Sequence, residues 1–259
     1  MIDLNCDVGE GYGRWTVGDD AELLRLVTSA NIACGFHAGD PAVMRATVEL
    51  ARRFGVAAGA HPGYPDLQGF GRRTLDLLPA EVEDMVLYQI GALYAFTRAA
   101  GVELVHVKPH GALYNRAVED AATAHAIARA VASFSADLIL VALSGSMLVA
   151  AGREHGLAVA QEAFADRAYE PDGSLRSRKL SGAVLDDPQA IVDQAVDIAR
   201  DRRVRTAEGA SIVVEADTIC LHGDTPGAAR LAHALREGLA AAGVRIRPLR
   251  EVVLSRSSG

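Results

Sequence analysis

Histidine, lysine and carboxylate side chains recur in this chain at the ends of short apolar runs, in a spacing that suits acid–base chemistry. In residues 105–115, VHVKPHGALYN, alternation puts His106, Lys108 and His110 on one side of an extended segment, with Val105, Val107 and Pro109 on the other. Three titratable groups on one face are costly to bury unless they pair or meet a ligand. Gly111 then reads as the opening of a loop. The pattern repeats elsewhere. Asp7 and Glu10 follow the first apolar run, His37 and Asp40 the second, His61 the third, and Lys108 and His110 the fourth. Glu162, Asp166 and Arg167 follow the sixth, and His222 and Asp224 the seventh. The fifth ends in Ser144-Gly145-Ser146 and brings no charge. Such a set supplies what hydrolysis needs: a carboxylate or neutral histidine as general base, and a His, Lys or Arg to stabilise an oxyanion or protonate a leaving group. A divalent metal is a further option, because one Asp and two His make an open three-ligand site, with Asp7, His37 and His61 as candidates. No compact H-E-x-x-H spacing accompanies them.

Plainer roles compete at several positions. Asp40 and Asp224 suit helix N-caps as well as catalysis. Glu10 and Asp166 fit solvated loop charges equally well. Arg72 and Arg73 end the glycine-rich GFGRR and could clamp a carboxylate or phosphate, or simply face water. His125, His155 and His233 fall on helical patterns and are assigned to structure.

The elements that must position these groups alternate regularly. Extended runs are expected at 2–8, 29–37, 56–60, 104–109, 138–143, 158–163 and 218–221, separated by helical patterns at 19–27, 42–54, 79–100, 120–134, 146–155, 188–200 and 226–242. A small hairpin fits 203–215, an edge strand 244–249, and a disordered tail 255–259. Strand-then-helix order with apolar strands implies parallel pairing through right-handed crossovers. A distorted (β/α) barrel of about seven parallel strands, one domain over 1–254, is the first expectation, and an open doubly wound sheet the second. Either architecture gathers ligands at the carboxyl ends of the strands, where the polar clusters fall.

Composition agrees with small-molecule chemistry. Of 259 residues half are hydrophobic and 5% aromatic, so Ala, Val, Leu and Ile must fill the core. A net charge of −7 without a basic run argues against nucleic acid or an anionic membrane as partner. The polar-studded N-terminal strand is unlike a signal peptide, and 138–151 is too short and too interrupted to span a bilayer. Three cysteines without a C-x-x-C pair suggest free, buried thiols in a reducing cytoplasm.

Six blocks taken together, DLNCDVGEGYG, ANIACGFHAGDP, GAHPGYPDLQGFGRR, VKPHGALYN, EAFADRAY and CLHGDTP, resemble in order those of the LamB/YcsF family of 5-oxoprolinase A subunits, across nearly the whole chain. The resemblance implies a barrel related to the carbohydrate deacetylases. It also implies ATP-dependent opening of 5-oxo-L-proline to L-glutamate, carried out with two other subunits. On that footing Asp7 or His61 is the base that activates water, and Lys108 and His110 polarise the lactam. Arg72 meets the substrate carboxylate or phosphate, and Glu162, Asp166 and His222 orient the rest. The chain has no G-x-x-x-x-G-K-[ST] phosphate loop, and GEGYG is a weak glycine pattern, so ATP is expected on a partner subunit or at a shared interface. The competing expectation is a metal-dependent amidohydrolase or carbohydrate deacetylase that acts alone.

Overall fold

A computed structural model describes residues 1–177, 179–221 and 227–257. Seven strands, all paired in parallel, close into a barrel: β1 (Asp3–Val8), β2 (Ser29–Ala33), β3 (Ala57–His61), β4 (Leu104–Val107), β5 (Ile139–Leu143), β6 (Ala158–Phe164) and β9 (Thr218–Leu221). Closure comes from β9, which pairs with β1 on one side and β6 on the other, so the open doubly wound alternative does not apply. The two remaining strands, β7 (Arg203–Arg205) and β8 (Ser211–Val213), form the expected antiparallel hairpin outside the barrel.

Helices cover the outside: α1 (Asp20–Leu23), α2 (Pro41–Phe54), α3 (Pro79–Ala99), α4 (Gly111–Glu119), α5 (Ala121–Phe134), α6 (Met147–Glu154), α7 (Pro188–Val196), α8 (Ala228–Ala241) and α9 (Leu249–Ser257). Their starts follow local rules. Asp40 accepts from the Ala42 and Val43 amides ahead of a proline in the first turn of α2, and Ser146 accepts from the Val149 amide ahead of α6. None of the helices among the described residues is long and apolar enough to cross a membrane.

Three local expectations need correction. Gly111 does not open a loop; β4 ends at Val107, residues 108–110 continue the chain, and the extended His110 is the N-cap from which α4 starts at Gly111. Residues 244–249 make a single parallel bridge, Ile2 to Ile246, in place of a strand. Residues 255–257 are the last turn of α9 and not a tail.

Alternation along β1 sends Leu4, Cys6 and Val8 towards the helices and Asp3, Asn5 and Asp7 into the barrel. The interior is therefore divided. Val105, Ile139, Val141, Ala160 and Leu249 form an apolar plug at one side, and polar side chains fill the other.

Candidate active site

Three polar levels stack inside the barrel. The deepest surrounds Asp3, whose Oδ1 accepts from Thr28 Oγ1 and Ser29 Oγ (2.7 Å each) and whose Oδ2 accepts from Thr218 Oγ1 at 2.5 Å. Burial nevertheless raises Asp3 to about 6, against the pull of these donors. In the next level Asn5 Nδ2 donates to Glu162 Oε1 (3.0 Å) and Thr218 Oγ1 (2.7 Å), while the Tyr114 hydroxyl donates to Glu162 Oε2 at 2.7 Å.

At the mouth, Lys108 Nζ lies 2.8 Å from Glu162 Oε1, 3.0 Å from Asp7 Oδ1 and 3.1 Å from Cys220 Sγ. Burial works against the ammonium charge, but the two carboxylates more than offset it and hold Lys108 well above the ordinary lysine value. Burial pushes the Cys220 thiol well up, so the sulphur accepts from Lys108 as a neutral thiol.

Asp7 is oriented from behind. Asn31 Nδ2 donates to Asp7 Oδ1 (2.8 Å) and Asn5 Oδ1 (2.7 Å), and Asn31 Oδ1 lies 2.8 Å from His106 Nε2. A flipped amide would set its oxygen against two acceptor oxygens, so the Asn31 orientation is fixed, and His106 must carry its proton on Nε2. Burial holds His106 down to about 3, neutral across the working range, and its Nδ1 is buried without a hydrogen bond. With Oδ1 held by Asn31 and Lys108, Asp7 turns Oδ2 towards His61 Nε2, 3.3 Å away.

A second cluster adjoins this one. Glu10, His37, His61 and His110 are all buried, and one ligand atom from each lies within 4.8 Å of the others, a grouping that could hold a metal ion. His61 Nδ1 is 2.7 Å from the Lys108 carbonyl, and His110 Nε2 is 2.8 Å from the Phe70 carbonyl. His37 stacks on His110 with ring centroids 3.7 Å apart and planes within 5°. Burial, followed by the neighbouring His110 and His61, drives His37 well below the usual histidine range, and burial lowers His110 to about 3.

A sequence profile of the LamB/YcsF family matches residues 2–254, the span from the first interior strand to the closing helix. The chain belongs to the LamB/YcsF family. Among curated relatives of this LamB/YcsF chain, the 5-oxoprolinase A subunit of Chloroflexus aggregans is 61% identical over 95% of this chain and 98% of its own length. That of Pyrococcus furiosus is 50% identical over 97% and 99%. A solved structure, the lactam utilization protein from Thermus thermophilus, superposes with a TM-score of 0.91 at 48% identity, covering 95% of this chain and 99% of that one.

In the LamB/YcsF barrel the residues singled out from sequence separate. Asp7, His61, Lys108, His110, Glu10, His37 and Glu162 meet at the mouth. Glu10 is buried against two histidines and is not a solvated charge. Asp40 caps α2 and accepts from Gly13 N at 2.6 Å, which fastens the loop after β1. Arg72 lies exposed on the rim over the Phe70 ring (5.4 Å), while Arg73 is tied to Asp66. Asp166 and Arg167 are buried in the loop after β6, where the Arg167 guanidinium donates to the Ala183 (3.2 Å) and Arg176 (2.7 Å) carbonyls, holding the loop in shape. His222 and Asp224 lie outside the described residues. The metal candidates also regroup: Asp7 is committed to Lys108 and Asn31, and the convergent set is Glu10 with His37, His61 and His110.

Sequence reasoning passed over Asn5, Asn31, Tyr114 and Cys220 as site residues. For Asn5 and Asn31 the signal was present, since both fall on the same alternating polar faces as Asp7 and His37. Tyr114 sits one helical turn beyond His110, visible only once 111–119 is known to be a helix. A groove of about 1030 Å³ between α7, α8 and β7 receives none of the mouth residues and takes no part in this chemistry.

Proposed function

We propose that this chain opens the lactam ring of 5-oxoproline to glutamate, as one component of a cytoplasmic enzyme that couples the reaction to ATP through two other subunits. What carries the reading is Asp7, set between Lys108 at 3.0 Å and His61 at 3.3 Å in the barrel mouth of a chain whose relatives are named as A subunits of 5-oxoprolinase. A lactam is a resonance-stabilised amide, so its carbonyl carbon is a poor electrophile. Water attack needs a base on one side and positive charge on the oxygen side.

Asp7 Oδ2 takes the proton from water as the new C–O bond forms. The Lys108 ammonium neutralises the charge that develops on the carbonyl oxygen. The C–N bond then breaks, and the proton passes to the departing nitrogen, with His61 placed to carry it. Phosphorylation of the carbonyl oxygen by ATP makes the ring carbon electrophilic enough for this attack; breaking the C–N bond then leaves an acyl phosphate, which a second water hydrolyses to the carboxylate and inorganic phosphate. Arg72 on the rim suits the substrate's carboxylate. Three free, buried cysteines fit a reducing compartment. A divalent cation held by the buried Glu/His cluster would add Lewis-acid polarisation to this set.

The test is glutamate release from 5-oxoproline by the chain mixed with its partner subunits and ATP. Asp7→Asn and His110→Ala should each lower the rate by about 100-fold or more. Near wild-type rates in both would overturn the proposal. Turnover of amides or acetylated sugars by the isolated chain without ATP would replace it with the stand-alone hydrolase.

A further inference from the structure

We propose that the hairpin at residues 11–16 docks the partner subunit that carries ATP onto the barrel mouth, with Trp15 as the central side chain of that interface. This rests on the lactam reading, because a reaction divided between subunits needs its partner over the mouth. Trp15, the one tryptophan of the chain, is 75% exposed. Tyr12 beside it is 40% exposed, and Arg14 between them is exposed as well.

An exposed aromatic on its own is ordinary. This one stands on a rigid mount. Tyr12 and Trp15 exchange both backbone hydrogen bonds, Tyr12 N to Trp15 O at 2.9 Å and Trp15 N to Tyr12 O at 3.0 Å, which closes a two-residue turn at Gly13-Arg14. Gly13, at φ 58°, supplies the positive φ that such a turn demands. Three further bonds fasten the loop to the barrel: Gly9 N donates to Asp20 Oδ2 (2.9 Å), Gly39 N to Gly11 O (2.9 Å), and Gly13 N to Asp40 Oδ2 (2.6 Å). Asp40 is itself held by the first turn of α2. A large side chain on a mobile loop loses contact energy to ordering; on a fixed hairpin little freedom remains to be lost. Trp, Tyr and Arg are also the residue types that dominate interface energetics, and one tryptophan can bury about 150–250 Å².

Place in the fold selects the partner. The loop leaves β1 just after Asp7 and turns Glu10 inward to His37 and His110, while Tyr12 and Trp15 turn outward. The rim continues through the adjoining loops. Gly11 is bonded to Gly39 after β2, and His37 on that loop packs edge-on to Phe70 after β3, with ring centroids 5.9 Å apart. Arg72 stands exposed at the far end. A body seated on Trp15 and spanning these loops covers the opening above Asp7, whose side chain is 13% exposed. The chemistry calls for such a cover. A phosphorylated lactam is readily lost to bulk water, the chain has no phosphate loop, and the intermediate must travel from the ATP site to Asp7. Seating the ATP-bearing subunit on the rim joins the two sites and keeps water out. With Arg14 and Arg72 on the rim of a chain of net charge −7, the complementary face is apolar at its centre and acidic around it.

The test follows association and turnover separately. The full chain carrying 5-fluorotryptophan has a single fluorine resonance, from Trp15, and is titrated with the unlabelled partner subunits in the presence of ATP. That resonance should shift and broaden on binding. Trp15→Ala and Arg14→Glu should each raise the Kd for the partners by about tenfold or more, measured by calorimetry, while glutamate release at saturating partner stays within about twofold of wild type. Val213→Ser, on the exposed hairpin outside the barrel, should leave Kd unchanged. An unchanged resonance with partners bound, an unchanged Kd in both rim variants, or weakening confined to Val213→Ser would overturn the proposal; the lactam reading would stand as long as glutamate is released. Binding through Trp15 without glutamate release would uphold the docking surface and overturn the lactam reading. A shift produced by 5-oxoproline alone would make Trp15 a substrate contact, and one that grows with the concentration of the chain alone would make this face a contact between copies; either overturns the proposal. The wild-type resonance keeps the test decisive if a rim variant fails to fold.

Discussion

Asn31 determines where Asp7 points, and His106 determines which way Asn31 faces. The proton on His106 Nε2 is thus two hydrogen bonds from the proposed base while touching no substrate. His106→Gln keeps a donor in place and should retain most activity. His106→Leu strands the Asn31 oxygen, which costs about 1–3 kcal/mol, and should lower the rate about 100-fold as Asp7 loses its aim. The same residue sets a pH effect. His106 is held at about 3 in the fold but titrates near 6.5 when unfolded, so the stability it contributes is complete above pH 6.5 and is lost as pH falls towards 3. Asp3 works the other way. Raised from 3.8 to about 6, it contributes stability that is complete below pH 3.8 and lost as pH rises through 6. Between pH 4 and 6 the two oppose each other. Urea unfolding across that window should show His106→Gln less acid-labile than wild type, and Asp3→Asn more acid-labile. Each slope should change by up to about 1.4 kcal/mol per pH unit, the value for one proton.

Strand register is the next level at which the site is set. β3 and β4 pair with a shift between Ala58 and Gly59 that brings Gly59 opposite His106. The His106 ring occupies the space a side chain at 59 would need: a Cβ there would lie 2.0 Å from Nε2. Gly59→Ala should therefore displace the ring and destabilise the chain by about 1–3 kcal/mol. Paired with His106→Ala, much of that cost should disappear, so equilibrium unfolding of the four-member cycle should be clearly non-additive. Additive costs would mean that the two positions do not share this space. Beyond β6, Gln194 on α7 donates through Nε2 to the Phe164, Ala165 and Arg167 carbonyls at 3.1, 2.9 and 2.8 Å, fastening the loop that follows Glu162. The length and polarity of 162–180 mark it as more than a connector, but its anchor lies about 30 residues away.

For the whole molecule, a barrel with so polar an interior needs its apolar filling elsewhere. α9 supplies part of it. Leu249 is fully buried against Val105, Ile139, Val141 and Ala160, with Val253 packed beside them. Leu249→Ala should cost about 2–5 kcal/mol, read as a lower Tm, with kcat unchanged wherever the chain stays folded. A loss of kcat at full foldedness would show that the plug and the mouth are coupled. Arg256 on the same helix reaches Asp217 at 2.8 Å, just before β9, so the closing helix also holds the strand that completes the barrel.

Periodicity in the sequence was sufficient for the seven strand-to-helix units, for the polar faces of β1 and β4, and for the gathering of Asp7, His37, His61, Lys108 and His110 at one end. Period-two alternation and parallel order act locally and survive folding unchanged. The helix at 111–119 was hidden because only residues 108–110 separate it from its strand and a glycine stands at its first position, and α9 because its anchoring residues lie far away in the chain. Pairing within the site was beyond sequence altogether. Whether Asp7 joins the histidines or Lys108, whether Glu10 is solvated or buried, and which nitrogen of each imidazole faces inward all depend on contacts between strands 24 to 157 residues apart. Alternation told which side chains enter the barrel; only closure, through β9, told which of them touch.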